Sequence, residues 1–116
     1  LGPGGAFVIE VMIPRLQKLP YGEKLVAYDL SDRHWGVDEY DVAAQGLVSH
    51  HLRSVNGGIE RSSIPFRYVW PSELDLMAEL AGMIRRERWG NWTREPFTNL
   101  SESHVSVWIK PTRNSE

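Results

Sequence analysis

The dipeptide Asn56-Gly57 constrains the fold of this 116-residue chain more than any other feature. Both residues tolerate the positive φ angles that a two-residue type I′ hairpin turn requires. Two strand-like stretches, residues 42–55 and 58–69, lie on either side of the dipeptide. The sequence therefore predicts an antiparallel hairpin centred on this turn.

The turn also fixes the register of the hairpin, because pairs are counted outward from it. Arg53 then faces Glu60, a favourable cross-strand charge pair worth about 0.2–1 kcal/mol. Turn and charge pair thus predict the same pairing. The same count sets two adjacent histidines opposite two serines, with His51 facing Ser62 and His50 facing Ser63.

The remaining hydrophobic pattern predicts one main helix and several further strands. Residues 6–13 are almost wholly apolar, which is typical of a strand covered on both faces, as in a parallel sheet. Ser72 and Asp75 form a capping-box pattern at the start of a helix over residues 71–82, and Gly82 ends that helix. Residues 14–22 are expected to form a loop or short helical turn, and further strands are expected at residues 24–30, 35–37, 83–89 and 104–110.

These elements predict an α+β fold. We expect a mostly antiparallel sheet of six or seven strands, with one main helix over residues 71–82. Apolar residues make up 41% of the chain and charged residues 24%, as in ordinary folded proteins. A chain of this length is expected to form one domain.

Charge and cysteine content exclude several classes of function. The net charge of −2 argues against nucleic acid or an anionic membrane as the main partner. No stretch of the sequence approaches the roughly 18 apolar residues that would span a bilayer. The chain has no cysteine, which excludes disulfides, thiol catalysis and cysteine metal sites, and fits a reducing compartment, so we expect a cytoplasmic protein.

The glycine-rich residues 1–5 (LGPGG) are not a phosphate-binding loop, because they lead into a strand instead of a helix. Residues 1–9 (LGPGGAFVI) resemble instead the turn and fifth strand of class I S-adenosylmethionine-dependent methyltransferases. That family commonly reads Leu-x-Pro-Gly-Gly before an apolar strand.

The resemblance continues along nearly the whole chain. Residues 70–83 resemble the family's late helix, residues 84–92 its sixth strand and residues 103–111 its antiparallel seventh strand. Residues 23–69 resemble the antiparallel lid that this family often inserts over the acceptor substrate. The resemblance implies a partial Rossmann-like core from residues 1–22 and 70–111, with a tail at 112–116.

The resemblance implies the C-terminal part of a methyltransferase, from the fifth strand onward. The parent enzyme would use S-adenosylmethionine, and its missing N-terminal half would bind that cofactor. We therefore expect no cofactor-binding residue in this chain, no activity of the chain alone, and a small-molecule acceptor as its substrate. Exposed edges of the isolated sheet are expected to pair into a homodimer.

Three residues mark the expected site at the end of the first strand. Ligands of open α/β sheets bind beyond the carboxyl ends of the strands, where Glu10, Met12 and Arg15 lie. A structural alternative pairs Glu10 with a neighbouring base and leaves Arg15 in solvent.

His50 and His51 are candidates for a general base that removes a proton from the acceptor. Adjacent residues of a strand point to opposite faces, so only one of them could line an acceptor site. In the structural alternative, one histidine is exposed and the other packs under the lid. No other histidine stands at a metal-binding spacing, so we expect no metal site.

Aromatic residues predict an apolar wall for a planar acceptor. Phe66, Tyr68 and Trp70 alternate in the sequence, and Tyr40 could join them. The same residues could equally seal a sheet against the helix. The alternative function is therefore a free-standing module that binds a ligand or a protein through this aromatic face.

Overall fold

The computed structural model describes residues 1–112, and they form seven strands, one α-helix and one short 3-10 helix. The strands are β1 (Ala6–Met12), β2 (Leu25–Leu30), β3 (His34–Asp41), β4 (Gly46–Val55), β5 (Gly58–Arg67), β6 (Ile84–Trp89) and β7 (Ser103–Ile109). The 3-10 helix is Arg15–Lys18, and the α-helix, α1, is Pro71–Leu80. Of the expected tail at 112–116, all but Thr112 lies outside the described residues.

The chain divides into two compact units, each with its own antiparallel sheet. The first unit contains Leu1–Pro14 and the chain from Val69 onward, with strands in the order β1-β7-β6. The second unit is Arg15–Tyr68, with strands in the order β2-β3-β4-β5. The predicted mostly antiparallel chain of seven strands and one main helix is thus confirmed. The predicted single sheet is wrong, because within the described residues the strands form two sheets, one in each unit.

The first sheet places the last strand in its centre. β7 pairs antiparallel with both β1 and β6, so β1 and β6 run parallel to each other on either side of it. The prediction that β1 is covered on both faces is wrong for the described residues. Phe7 and Val8 point to opposite faces of the sheet and both are exposed, and within residues 1–112 β1 pairs only with β7.

Helix α1 begins without the predicted capping box. Trp70 is the N-cap and has extended backbone, and no side chain caps the helix. Asp75 does not reach back to the N-terminus, because its carboxylate binds other side chains. Gly82 takes a φ of +79° just beyond the helix, which is the left-handed conformation that ends many helices.

Asp75 joins α1 to the sheet through charge-assisted hydrogen bonds. Arg88 donates to both carboxylate oxygens, at 3.0 Å and 2.7 Å, and Nε1 of Trp108 donates at 3.0 Å. Partial burial raises the pKa of Asp75, but the hydrogen bonds from Arg88 and Trp108 outweigh burial and hold the pKa below its ordinary value. Because the Asp75 carboxylate is bound by Arg88 and Trp108, it does not cap the N-terminus of α1.

His104 is the most deeply buried titratable side chain of the first unit. Nε of Arg88 donates to Oγ of Ser106 at 2.9 Å, and this hydroxyl lies 2.6 Å from Nδ1 of His104. The buried Nε2 of His104 has no hydrogen-bond partner among the described residues. Burial lowers the pKa of His104 to about 4.

The predicted hairpin and its register are confirmed in the second unit. Asn56 and Gly57 have φ angles of 49° and 78°, and Arg53 pairs with Glu60. The two histidines face the expected serines. β4 begins later than predicted, at Gly46, because the backbone amide of Ala44 bonds to Asp41 and residues 42–45 form a turn.

The outer edge of β5 is unpaired in the described residues, and its sequence resists pairing. Val55 and Gly58 flank the two-residue turn as a hydrogen-bonded pair, so alternate residues from 58 onward bond to β4. The backbone of the others, including Pro65, faces outward. Since proline has no N–H group, Pro65 interrupts the row of outward donors at this edge.

Neither helix within residues 1–112 has the length and apolar character needed to cross a membrane.

We expect the stability of the chain to fall between pH 6.5 and pH 4 because of His104. The unfolded chain binds a proton on this residue below about pH 6.5, whereas the folded chain resists it until about pH 4. The free energy of unfolding should therefore fall by up to about 3 kcal/mol over this interval. Urea denaturation followed by tryptophan fluorescence measures it.

The variant His104→Gln should lose this fall with pH, although its stability at pH 7 is lower. The half-buried His50→Gln is the matched control and should retain it. An equal fall in His104→Gln and in the wild type would contradict the assignment.

Candidate functional site

An open pocket of about 970 Å³ lies within the second unit. Its walls come from the 3-10 helix and the segment after it, from the turn between β3 and β4, and from β5. Most of its lining is apolar, including Leu16, Leu19, Leu47, Pro65 and Phe66. A concave apolar lining of this size is typical of a site for a small organic molecule.

Charged residues line one side of the pocket. Nζ of Lys24 lies 3.1 Å from one Glu39 carboxylate oxygen, and Nε2 of His50 lies 3.0 Å from the other. Nδ1 of His50 lies 2.7 Å from Oγ of Ser63. The hydrogen bonds from His50 and then Lys24 hold the pKa of Glu39 below its ordinary value. Glu39 therefore presents an ionised, already neutralised carboxylate to the pocket.

Tyr40 lines the pocket with a hydroxyl that is already bonded. The hydroxyl accepts the backbone N–H of Arg15 at 3.0 Å, and the ring packs edge-on against Tyr68, with centroids 5.7 Å apart. Burial raises the pKa of Tyr40. Tyr40 and Tyr68 are thus buried structural aromatics, whereas Phe66, which is 53% exposed, and the fully exposed Tyr21 are the accessible aromatic rings of the pocket.

Arg15 fixes the 3-10 helix to the sheet. Nη1 donates to Oδ2 of the buried Asp38 at 3.1 Å, and the guanidinium lies 5.7 Å from the centroid of the Tyr28 ring. The pair of opposite charges at Arg15 and Asp38 is mutually neutralising. The Arg15 guanidinium also holds the Tyr28 ring from one side.

Tyr28 lies at a β-bulge in β2. Ala27 pairs with Val37 and Asp29 with Gly36, so Tyr28 is the extra residue between them. A bulge of this kind redirects a side chain. The ring crosses Gly36, where a Cβ atom would overlap it and lie 2.6 Å from the hydroxyl oxygen. The Tyr28 ring can therefore occupy this place only because residue 36 is glycine.

The Tyr28 hydroxyl belongs to a group of five polar residues that we name the histidine cluster. Its members are Tyr28, Asp29, His34, Ser49 and His51. Nδ1 of His34 lies 2.5 Å from Oδ2 of Asp29, and Nε2 of His34 lies 2.9 Å from Nδ1 of His51. The hydroxyls of Tyr28 and Ser49 each lie 3.2 Å from Nε2 of His51.

The residues that the sequence proposed for one site belong to both units. Glu10 and Met12 are exposed on β1 and Trp70 caps α1, all in the first unit. Arg15, Tyr40, Phe66 and Tyr68 are in the second unit, and of these Tyr40 and Phe66 line the pocket. His50 and His51 have different partners on opposite faces of β4, as strand geometry requires.

Sequence reasoning missed Tyr28, Asp29, His34 and Ser49. His34 and His51 are 17 residues apart and meet only through the pairing of β3 with β4. The bulge at Tyr28 has no proline or glycine within β2 to signal it. In the register of β3 with β4, Arg53 lies opposite His34 and Gly36 lies opposite His51, so the two histidines are diagonal neighbours and not a direct cross-strand pair.

The glycine-rich turn and the first turn of α1 are not suited to the carboxylate of S-adenosylmethionine, which is favoured by free backbone amides. The amide of Gly4 instead donates to the Lys110 carbonyl at 2.7 Å, and the amide of Gly5 to the Gly2 carbonyl at 2.9 Å. The first turn of α1 carries Pro71 and Glu73, which disfavour a carboxylate. No metal-binding cluster of three or more histidine or acidic residues occurs within residues 1–112.

Comparisons with known proteins place the fold among methyltransferases. No protein-family model and no curated protein matches the chain. The chain is similar to the CcbJ methyltransferase from Streptomyces caelestis, with 37% sequence identity and a TM-score of 0.77 over 95% of this chain and 48% of that one.

A second solved structure shows the same fold at low identity. It is an S-adenosylmethionine-dependent methyltransferase from Clostridium acetobutylicum ATCC 824, with 10% identity and a TM-score of 0.66, covering 95% of this chain and 46% of that one. The chain thus spans about half the length of both structures. Its similarity supports a methyltransferase-related chain with the fold of part of such an enzyme.

We expect the variant Gly36→Ala to displace the Tyr28 ring and to destabilise the second unit by about 1–3 kcal/mol. The added methyl group would overlap the ring, which the bulge and Arg15 hold in place. Chemical denaturation and the NMR signals of the Tyr28 ring measure the two effects.

Gly46→Ala is the matched control, because its Cβ would meet only the Phe66 carbonyl oxygen at an ordinary 3.5 Å. Equal stability losses in the two variants would contradict a special role for Gly36.

Proposed function

We propose that this chain is the acceptor-binding region of an S-adenosylmethionine-dependent methyltransferase that acts on a small molecule. The observation that carries the proposal is the 37% identity to a methyltransferase over 95% of the chain. Identity at that level over nearly the whole chain goes beyond a shared fold. The second neighbour, which is named as S-adenosylmethionine-dependent, supports the choice of cofactor for the parent enzyme.

The first unit would contribute part of a Rossmann-like core. The resemblance in the sequence equates β1, β6 and β7 with the family's fifth, sixth and antiparallel seventh strands. The two parallel strands with an antiparallel strand between them agree with that correspondence. In this proposal, Glu10 and Met12 lie toward the carboxyl end of β1, where ligands of such sheets bind.

The cofactor would be bound by a separate N-terminal half of the enzyme. This division is supported by the glycine-rich turn, where the amides of Gly4 and Gly5 are already bonded to backbone carbonyls. The chain by itself would therefore be inactive, and the methyl group would be supplied only in the longer protein.

The second unit would bind the acceptor in the pocket that Tyr40 and Phe66 line. Its apolar walls favour a flat or apolar portion of the acceptor, and Phe66 offers an exposed ring for it. Of the two candidate bases, His50 bonds to Glu39, which lines the pocket, whereas His51 is bonded within the histidine cluster, none of whose residues lines it. Arg15, Tyr68 and Trp70 would support the fold around the site.

Self-association would use the free edge of β1. That edge has no strand partner among the described residues, whereas the β5 edge carries Pro65. In the longer protein, this edge of β1 would pair with another strand of the same chain. It would then not be available to a second copy, and the homodimer would not form.

Calorimetric titration of S-adenosylmethionine into the chain and into the longer protein tests the proposed function. We expect binding to the longer protein alone. Binding to the chain would contradict the proposed division of the two sites, and absence of binding to both would favour the free-standing binding module.

In the longer protein, Phe66→Ala should raise the KM for the acceptor about tenfold and change kcat little. The ring would lose burial against the acceptor worth about 1.4 kcal/mol, a fraction of the value for a whole phenylalanine. Steady-state kinetics measures both constants. Ile59→Ala, on the same strand but outside the pocket, is the control, and an equal rise in its KM would contradict the assignment.

A further inference from the structure

The charged residues that line the pocket do not balance. They are Glu23, Lys24, Glu39 and Asp41, which carry three carboxylates and one ammonium group. Lys24 is already paired with Glu39, with 3.1 Å between Nζ and the carboxylate oxygen. Within residues 1–112, the carboxylates of Glu23 and Asp41 have no basic side chain as a partner. Two negative charges of the pocket are therefore left without a neutralising group in that part of the chain.

The register of the sheet brings these two carboxylates to the same end of β2 and β3. The backbone amide of Tyr40 donates to the Lys24 carbonyl at 2.8 Å, so the pairing of the two strands continues one residue beyond Leu25. The next residues outward are Glu23 and Asp41, which this register sets opposite each other. Like charges that face each other across two strands are destabilising. A positively charged ligand would relieve this repulsion.

Local hydrogen bonds order the two segments that carry the carboxylates. The amide of Glu23 donates to the Pro20 carbonyl at 3.1 Å and closes a turn, in which Gly22 has a φ of +89°. One carboxylate oxygen of Asp41 accepts the amide of Ala44 at 3.1 Å. Both negative charges are therefore carried by hydrogen-bonded turns that border the pocket.

Aromatic rings in the same lining favour the same kind of ligand. Tyr21 lies in the turn that Glu23 closes and is fully exposed, and Phe66 of β5 is 53% exposed. The face of an aromatic ring attracts a positively charged group, and the attraction is stronger when that group is partly removed from water. The exposed rings and the unbalanced carboxylates are two separate features of the lining, and both suit an organic cation.

We propose that the pocket binds an organic cation, so that the methyl acceptor is a mainly apolar molecule that carries a protonated amine. The inference deepens the proposed function and rests on it, because it takes the ligand of the pocket to be the acceptor. The apolar body of the acceptor would lie against Leu16, Leu19 and Phe66, and its ammonium group would lie near Glu23 and Asp41. A neutral ligand would leave the two carboxylates uncompensated, and an anionic ligand would add to their repulsion.

Titration of three matched probes into the 116-residue chain tests the charge of the ligand. Benzylamine, benzyl alcohol and benzoate each contain one phenyl ring, and at pH 7 they are a cation, a neutral molecule and an anion. The NMR signals of the Leu16 and Leu19 methyl groups report binding in the pocket. We expect benzylamine to bind about fivefold more tightly than benzyl alcohol, and benzoate to bind least tightly. The preference should shrink in about 0.5 M salt, which screens exposed charges.

The double variant Glu23→Gln with Asp41→Asn tests whether the two carboxylates cause this preference. It should bind benzyl alcohol as the wild type does and prefer benzylamine no more than about twofold, through the aromatic rings alone. Asparagine at position 41 still offers an oxygen to the Ala44 amide. The matched control is Asp32→Asn with Glu60→Gln, which removes the same two charges from exposed residues outside the lining and should keep the full preference.

The titrations need no cofactor, so their failure is distinct from a failure of the proposed function. Equal binding of the three probes, tighter binding of benzoate, or a full preference in the Glu23→Gln, Asp41→Asn variant would overturn the inference and leave the proposed function standing. S-adenosylmethionine is itself a cation, so a shift of the same methyl signals on its addition to the chain would overturn the assignment of the pocket to the acceptor. Failure of the longer protein to bind S-adenosylmethionine would contradict the proposed function and, with it, the identification of the ligand as a methyl acceptor.

Discussion

The polar arrangement of the second unit depends on the contact between the Tyr28 ring and the bare backbone of Gly36. Any side chain at position 36 would overlap the ring. The β-bulge turns Tyr28 toward that position, and the Arg15 guanidinium lies over the ring from the 3-10 helix. With the ring held there, its hydroxyl reaches His51 and Ser49. One missing side chain therefore sets the geometry of a five-residue hydrogen-bonded cluster.

Local signals in the sequence predicted local structure well. The Asn56-Gly57 turn fixed the pairing of ten residues in each of two strands, because turn geometry and cross-strand charge are decided by neighbours. The capping box at α1 failed since Asp75 has a better partner in Arg88, which no local pattern reveals. The histidine cluster was out of reach for the same reason, as it requires the bulge and the register of two further strand pairs.

The two units differ in what they contain. The first presents three strands of a core sheet and the helix that Asp75 ties to them. The second contains the pocket, with exposed aromatic rings at Phe66 and Tyr21, and the histidine cluster. Of the residues that the sequence proposed, Tyr40 and Phe66 line the pocket, and His51 belongs to the cluster in the same unit.

The release of S-adenosylhomocysteine tests the central claim most directly. Mass spectrometry of the longer protein, incubated with methyl-labelled S-adenosylmethionine and a panel of amine and hydroxyl compounds, would follow this product together with a labelled acceptor. The account predicts both products from the longer protein and neither from the 116-residue chain alone. Turnover by the chain alone, or none by the longer protein with any acceptor that it binds, would contradict the account.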